Sequence, residues 1–397
     1  MKTFQPVKAT NFRCRRWQVP EICLPVFLSM LLLFTACIPA IGWCNDEYNQ
    51  LGNLFGSEGR NMEDVATKII SLPGERRNWV KGLDFSPDGK YLATVTHKDG
   101  VKVWDWQNAR VVRTLGRLQG SNIGLVRELL KFSPDGHMLA TCHDLATNRV
   151  VIRIWRTDTW EVLHEITDPM PGSGCNAINF TPDGKHLVRI AHHNPKYSTD
   201  ILHVYDTTTW ETIWTLQLSP FRPYALAISP DGKWAAIGGY AYGGGIKHQS
   251  IIVDMEKRMA TRTIPNTVDF AFGHLAWSPD GARLTAIGRR GWDGLAYTGG
   301  PENIMTFDAH SGRLLAAYIW GRVSLLYVRY TPDGKYLIES DMNDRGTALG
   351  ARIWDGTHNK QLQHIPGAIS SLAVSRDSRY LATGSDRDTT IWKLKQQ

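Results

Sequence analysis

"FSPDGKYLATVTHKDGVKVWD", Phe85 to Asp105, decides how the rest of the chain reads. Its core returns as "FSPDGHMLA" at Phe132, "FTPDGKHLV" at Phe180, "ISPDGKWAA" at Ile228, "WSPDGARLT" at Trp277, "YTPDGKYLI" at Tyr330 and "VSRDSRYLA" at Val374. The aspartates stand at 88, 135, 183, 231, 280, 333 and 377, separated by 47, 48, 48, 49, 53 and 44 residues. A period so even marks a repeat architecture. A recurring carboxylate also raises the question of catalysis, and turn chemistry answers it. Proline presets the second position of a type I turn, aspartate suits the third, and glycine takes the left-handed conformation that follows. Each step is explained by the chain turning a corner, and none needs a substrate.

A second mark follows each corner. It reads "VKVWD" (Val101–Asp105), "IRIWR" (Ile152–Arg156), "LHVYD" (Leu202–Asp206), "IIVD" (Ile251–Asp254), "IMTFD" (Ile304–Asp308), "ARIWD" (Ala351–Asp355) and "TIWK" (Thr390–Lys393). A further apolar run comes next, as in "RVVRTL" or "RLLAAYIW". Each unit therefore predicts four short strands, a to d, joined by tight turns. Such a unit cannot bury both faces alone, but seven arranged radially bury one another. The expectation is an all-β, seven-bladed β-propeller of four-stranded antiparallel blades over residues 66–397. The last unit ends on a c strand, "TTIWKLKQQ", while "ATKIISLPG" (Ala66–Gly74) precedes the first corner with no a, b or c of its own. That N-terminal run supplies the missing strand, closes the ring and removes an exposed edge.

Over Ala66 to Leu394 these motifs resemble the WD-repeat propeller family in its bacterial, exported form, where "SPDG" corners are common. The Trp-Asp pair is intact at Trp104–Asp105 and Trp354–Asp355, and the Gly-His pair of the d–a connection is absent. The family's Asp-His-Ser-Trp hydrogen-bond network is thus not expected. Blade five, "LAWSPDGARLTAIG", is closer to the propeller repeat of the periplasmic Tol-system protein. The resemblance implies a protein-interaction scaffold.

The first 36 residues read as a signal peptide or membrane anchor: a basic start, then the apolar run Ile22–Trp43. "LFTAC" resembles a lipobox ending at Cys37, with Phe34 where leucine is usual; cleavage after Gly42 and an uncleaved anchor are the other readings. Residues 37–65, polar and rich in Gly and Asn, read as a flexible tether. All three readings place the propeller outside the cytoplasm, periplasmic or cell-surface; the lipidated and uncleaved readings make it membrane-anchored, which is the leading expectation. The net charge of +7 is largely a property of the leader; without residues 1–36, 40 basic residues face 37 acidic ones. That balance is no electrostatic footprint for nucleic acid. Two of the six cysteines, Cys142 and Cys175, lie in the propeller, a possible disulfide in an oxidising compartment.

No H-E-x-x-H, G-x-S-x-G or phosphate-loop motif occurs. No catalytic residue, cofactor or metal ligand is assigned. The b–c connections hold His97, His143 and His192, and share a rim with the d–a connections. The same rim is expected to present Arg77, Trp79, Arg222, Tyr224, Tyr240, Arg289, Trp292 and Arg322, aromatic and arginine types that dominate interfaces. The loops "GGYAYGGG" and "RRGWDGLAYTGG" lengthen it. The leading expectation is a non-catalytic scaffold binding a protein partner on this rim. The alternative is a small-ligand or metal sensor, or an enzyme, at the channel mouth.

Overall fold

The chain divides into residues 1–55 and 56–397, and every residue described below belongs to the second unit. The computed structural model describes residues 63–74, 78–96, 98–116, 128–144, 150–167, 174–192, 201–218, 221–241, 250–264, 270–290, 302–320, 323–343 and 348–396. All regular structure among them is β. Strand β1 is Ala66–Pro73. Blade one comprises β2 (Val80–Phe85), β3 (Tyr91–Thr96), β4 (Gly100–Asp105) and β5 (Arg110–Thr114). Blade two comprises β6 (Leu130–Phe132), β7 (Met138–Asp144), β8 (Val150–Arg156) and β9 (Val162–Thr167). Blade three holds β10 (Gly174–Phe180), β11 (His186–His192), β12 (Ile201–Asp206) and β13 (Thr212–Gln217). Blade four holds β14 (Phe221–Ile228), β15 (Trp234–Ala241), β16 (Ser250–Asp254) and β17 (Met259–Ile264). Blade five holds β18 (Phe270–Trp277), β19 (Arg283–Arg290), β20 (Glu302–Asp308) and β21 (Leu314–Trp320). Blade six holds β22 (Val323–Tyr330), β23 (Tyr336–Asn343), β24 (Ala348–Asp355) and β25 (Gln361–Pro366). The last strands are β26 (Ser371–Val374), β27 (Tyr380–Gly384) and β28 (Asp388–Leu394).

Seven four-stranded antiparallel sheets result, and blade seven runs β26-β27-β28-β1. Strand β1 lies antiparallel to β28, from Ala66 opposite Leu394 to Pro73 opposite Asp388. The ring closes with the N-terminal strand in the predicted place. Among the described residues Glu63 already meets blade six, its amide donating to Leu362 O (3.0 Å), and Val65 is buried. Both lie within the tether expected over residues 37–65.

The corners are turns, as their chemistry requires. In all seven, the amide at the glycine position donates to the carbonyl of the Ser or Thr three residues earlier, over 2.8–2.9 Å. Six corner glycines have φ between +70° and +78°, which a side chain resists. Each aspartate Oδ1 accepts from that Ser or Thr hydroxyl at 2.5–2.6 Å. It also accepts from the amide two residues on, at 2.9–3.1 Å. In blade seven, Ser378 replaces glycine at φ 59°, and its hydroxyl accepts the amide of Asp333 in blade six (2.9 Å). There Arg376 replaces proline and donates to Pro134 O of blade two (2.7 Å).

Buried apolar side chains fill the spaces between blades, in line with the repeat's alternation. At the same position of strand c stand Trp104, Trp155, Tyr205, Val253, Phe307, Trp354 and Trp392. Each indole N–H finds an acceptor on strand b: Thr94 (3.0 Å), Thr141 (2.7 Å), Glu339 (3.2 Å) and Thr383 (2.9 Å). In the three blades without an indole, that b position is Arg189, Ile237 or Ala286. An acceptor appears where a buried donor must be satisfied. The expected loss of the family network is therefore corrected in part: its tryptophan–hydroxyl half persists in blades one, two and seven.

Candidate functional site

Strand a is the inner edge of every blade, so its outward N–H and C=O groups face the axis rather than a fifth strand. Buried backbone groups need partners, and side chains from other blades supply them. Asp84 Oδ2 accepts the amide of Phe132 (2.8 Å), and Trp277 Nε1 donates to Ala227 O (3.1 Å). Asn176 Nδ2 donates to Pro223 O (2.5 Å), and Ser370 Oγ to Val80 O (2.8 Å). Tyr327 OH donates to Lys81 O from blade six to blade one (2.8 Å).

A charged cluster lies within this ring. Glu128, just before β6, is buried and forms an ion pair with Arg329 of β22. His274 Nε2 of β18 stands 3.2 Å from the same Oε1, while Oε2 is buried with no hydrogen-bond partner among the described residues. Lys131 Nζ lies 3.7 Å from Asp84 Oδ1, and the ring of Tyr327 lies 5.0 Å from that of His274. Burial raises the Glu128 pKa, but the charges of Arg329 and Lys131 and the His274 contact outweigh it and hold the carboxyl well below its usual range. Burial pushes Asp84 up, only partly offset by Lys131. The cluster joins blades one, two, five and six across the axis.

The sequence reading missed this cluster, although a signal existed. Four residues before each corner aspartate stand Asp84, Lys131, Asn179, Ala227, Ala276, Arg329 and Ala373. Charge at a position that is alanine in three sister repeats marks a place where side chains meet across the ring.

The expected rim residues fall as follows. Trp79 precedes β2 and is half-buried. Its neighbours pin it: Asn78 Oδ1 accepts the Lys98 amide (3.0 Å), Asn78 Nδ2 donates to Asp99 (3.0 Å), and the Val80 amide donates to Ser385 O (3.0 Å). Among the described residues the Trp79 indole has no hydrogen-bond partner. Arg222 of β14 lies opposite Tyr240 of β15, and Tyr224 is the extra residue of the bulge between them. His192 ends β11 opposite Gly174, and Arg289 of β19 pairs with Ala271. These positions lie at b-strand ends and a-strand starts, on one rim. Arg77, His97, Trp292, Arg322 and Cys37 lie outside the described residues, as does the run Ile22–Trp43. Among the described residues no helix is long and apolar enough to cross a membrane.

His143 is a correction. Expected on a loop, it sits inside β7, 2% exposed, with Nε2 2.6 Å from Thr141 Oγ1. Burial, with the nearby charge of Arg153, lowers its pKa to about 3. It serves the Thr141–Trp155 pair rather than a ligand at the rim. Among the described residues no three His, Cys, Asp or Glu side chains are grouped to hold a metal. A disulfide joins Cys142 of β7 to Cys175 of β10, Cα atoms 6.3 Å apart, between blades two and three.

With seven such sheets closed on their N-terminal strand, comparison with known proteins gains meaning. The WD domain, G-beta repeat, matches residues 66–105 and 357–393. Those two stretches are where the chain is similar to the WD40 repeat. The chain is also similar to Protein HIR1 of Mycosarcoma maydis, 31% identical over 38% of its length. It is also similar to an uncharacterized WD repeat-containing protein of Synechocystis sp., 28% identical over 41%, and to Protein hir1 of Schizosaccharomyces pombe, 25% identical over 68%. The aligned stretches span 14, 40 and 29% of those relatives' own lengths. A WD40 propeller fits a protein-interaction scaffold, a rigid ring that presents loops.

Proposed function

We propose that this WD40 propeller is a non-catalytic scaffold, exported and membrane-tethered, that binds a protein partner on the rim of its d–a and b–c connections. The observation that carries the reading is Trp79. Its backbone is held on both sides, while its indole stays half-exposed with no hydrogen-bond partner among the described residues. A large aromatic ordered before contact loses little entropy on binding, which is the character of an interface anchor. The register of Arg222 opposite Tyr240, two more interface-prone types, supports the same reading.

Export and tethering draw on the apolar run Ile22–Trp43 and on Cys37 within "LFTAC". An inter-blade disulfide is compatible with an oxidising compartment. Mass analysis of the mature N-terminus separates the readings: a diacylated Cys37, a new N-terminus after Gly42, or the intact leader. An intact leader in a cytoplasmic fraction would overturn export.

The binding test uses a photo-crosslinking residue at Trp79 in the native cell, with the same residue at Lys233 on the opposite rim as control. One partner captured from Trp79 and not from Lys233 supports the reading. Equal capture from both positions defeats it. Trp79→Ala is expected to weaken that partner's binding at least about tenfold, as loss of an interface anchor does, without lowering the melting temperature.

A further inference from the structure

Blades two and three are joined as no other described pair is. Besides side-chain packing they share a parallel backbone bridge, Glu128 with Ala177, in which the Ile178 amide donates to Glu128 O (3.2 Å). The Cys142–Cys175 disulfide crosses the same junction. The two features touch. The Cys142 amide donates to Leu129 O (2.8 Å), one residue from Glu128. Cys175 adjoins Asn176, whose side chain caps Pro223 O. Glu128 is thus a hub: its backbone holds blade three, and its side chain holds Arg329 of blade six and faces His274 of blade five. His274 Nδ1 in turn faces the Val328 amide of blade six at 3.5 Å.

We propose that the Cys142–Cys175 disulfide is a redox latch on the axial charge network, acting through Glu128. Two thiols lose two protons and two electrons to a disulfide-exchange oxidant, and one S–S bond forms between adjacent blades. With that bond in place, Leu129 and Ala177 are held in register and Glu128 is aimed at Arg329 and His274. Reduction by a dithiol returns two thiols, and the dithiol leaves as its own disulfide. The junction then rests on side-chain packing and the backbone bridge, without a covalent tie, and Glu128 loses the restraint that orients it. Both sulfurs belong to buried residues, 3% and 4% exposed, so exchange proceeds through local opening and the latch is set as the ring closes. The ring then has two seams: β1 on β28, fastened by a strand, and blades two and three, fastened by a covalent bond.

The test is amide hydrogen exchange on the full chain, oxidised and after dithiothreitol, with alkylation and mass analysis to count free thiols. Reduction should speed exchange in peptides holding Ile178 and Val328 by roughly tenfold, the factor given by about 1.4 kcal/mol, and leave Leu381 of blade seven unchanged. Glu128→Gln in oxidised protein should speed Val328 with the disulfide intact. If reduction unfolds the chain, that variant still carries the test, together with Cys142→Ala/Cys175→Ala at lower temperature. Free Cys142 and Cys175 in air-refolded protein would overturn the latch. So would faster exchange confined to the junction, with Val328 unchanged by reduction or by Glu128→Gln.

Discussion

Glu128 and Arg329 stand 201 residues apart, on blades two and six, and meet as an ion pair across the axis of the ring. Two blades, seven and one, separate them in the circle. The contact ties opposite sectors together, where most propeller contacts join neighbours. Removing one partner leaves a buried charge unpaired, which costs about 3–5 kcal/mol. Glu128→Gln and Arg329→Met should each lower stability by about 3 kcal/mol, near the foot of that range because Arg329 keeps some solvent. The double variant should lose much less than the two losses added. Denaturant titration of the four proteins measures this, and simple additivity would refute the pair.

The same carboxylate predicts acid behaviour. A folded pKa held below the unfolded value gives stability that is present above the unfolded pKa, near 4.5, and lost as pH falls through the folded one. Melting temperatures of the wild type should fall below about pH 4.5, and the fall should be shallower in Glu128→Gln. An identical slope in the two proteins would remove Glu128 from the acid limb.

His358 acts at milder pH. It is fully buried in the c–d turn of blade six, with Nδ1 3.0 Å from Thr306 Oγ1. Burial lowers its pKa from 6.5 to about 3. Between those values the unfolded chain binds a proton that the folded chain refuses, so stability falls as pH drops from 6.5 toward 3. The slope is on the order of 1 kcal/mol per pH unit for one such group. His358→Asn keeps a residue tolerant of the left-handed φ of 62° and removes the titration. Its melting temperature should vary less between pH 6.5 and pH 4 than that of the wild type. An unchanged dependence would count against the assignment.

Tryptophan acceptors should differ in worth. Thr141 takes the Trp155 indole N–H and meets His143, whereas Thr94 serves Trp104 alone among the described side chains. Removing a buried acceptor leaves a donor unsatisfied at about 1–3 kcal/mol. Thr141→Val should be the costlier, about 2 kcal/mol against about 1 kcal/mol for Thr94→Val. Equal losses in denaturant midpoints would mean that His143 adds nothing.

Corner aspartates should behave as turn residues. Asp135→Ala loses the contacts to Ser133 Oγ and His137 N, at roughly 1 kcal/mol for a solvent-facing turn. Asp135→Asn keeps a carbonyl acceptor and should cost less. Neither should change capture of a partner from Trp79. Lost capture in stably folded Asp88→Asn would return these carboxylates to the list of functional groups.

Much of the architecture is local and so was legible. Pro-Asp-Gly corners, a period near 48 residues and an orphan strand at Ala66 require a closed ring, because turn geometry and edge pairing are short-range consequences of residue type. The indole acceptors were legible too, had the b and c positions been read together. Exposure at the ends of strands was harder. His143 looked like a loop residue because β7 runs on past the point where the apolar alternation fades, to Asp144.

What the chain order by itself determined is the number of blades, the corner chemistry and the strand that closes the ring. Only the tertiary structure decided which residues meet at the axis. Glu128, His274, Asp84 and Arg329 come from four repeats, and nothing in their sequence spacing brings them together. Closing seven twisted sheets on one axis does so, and the low-dielectric interior then makes each charge depend on its partners.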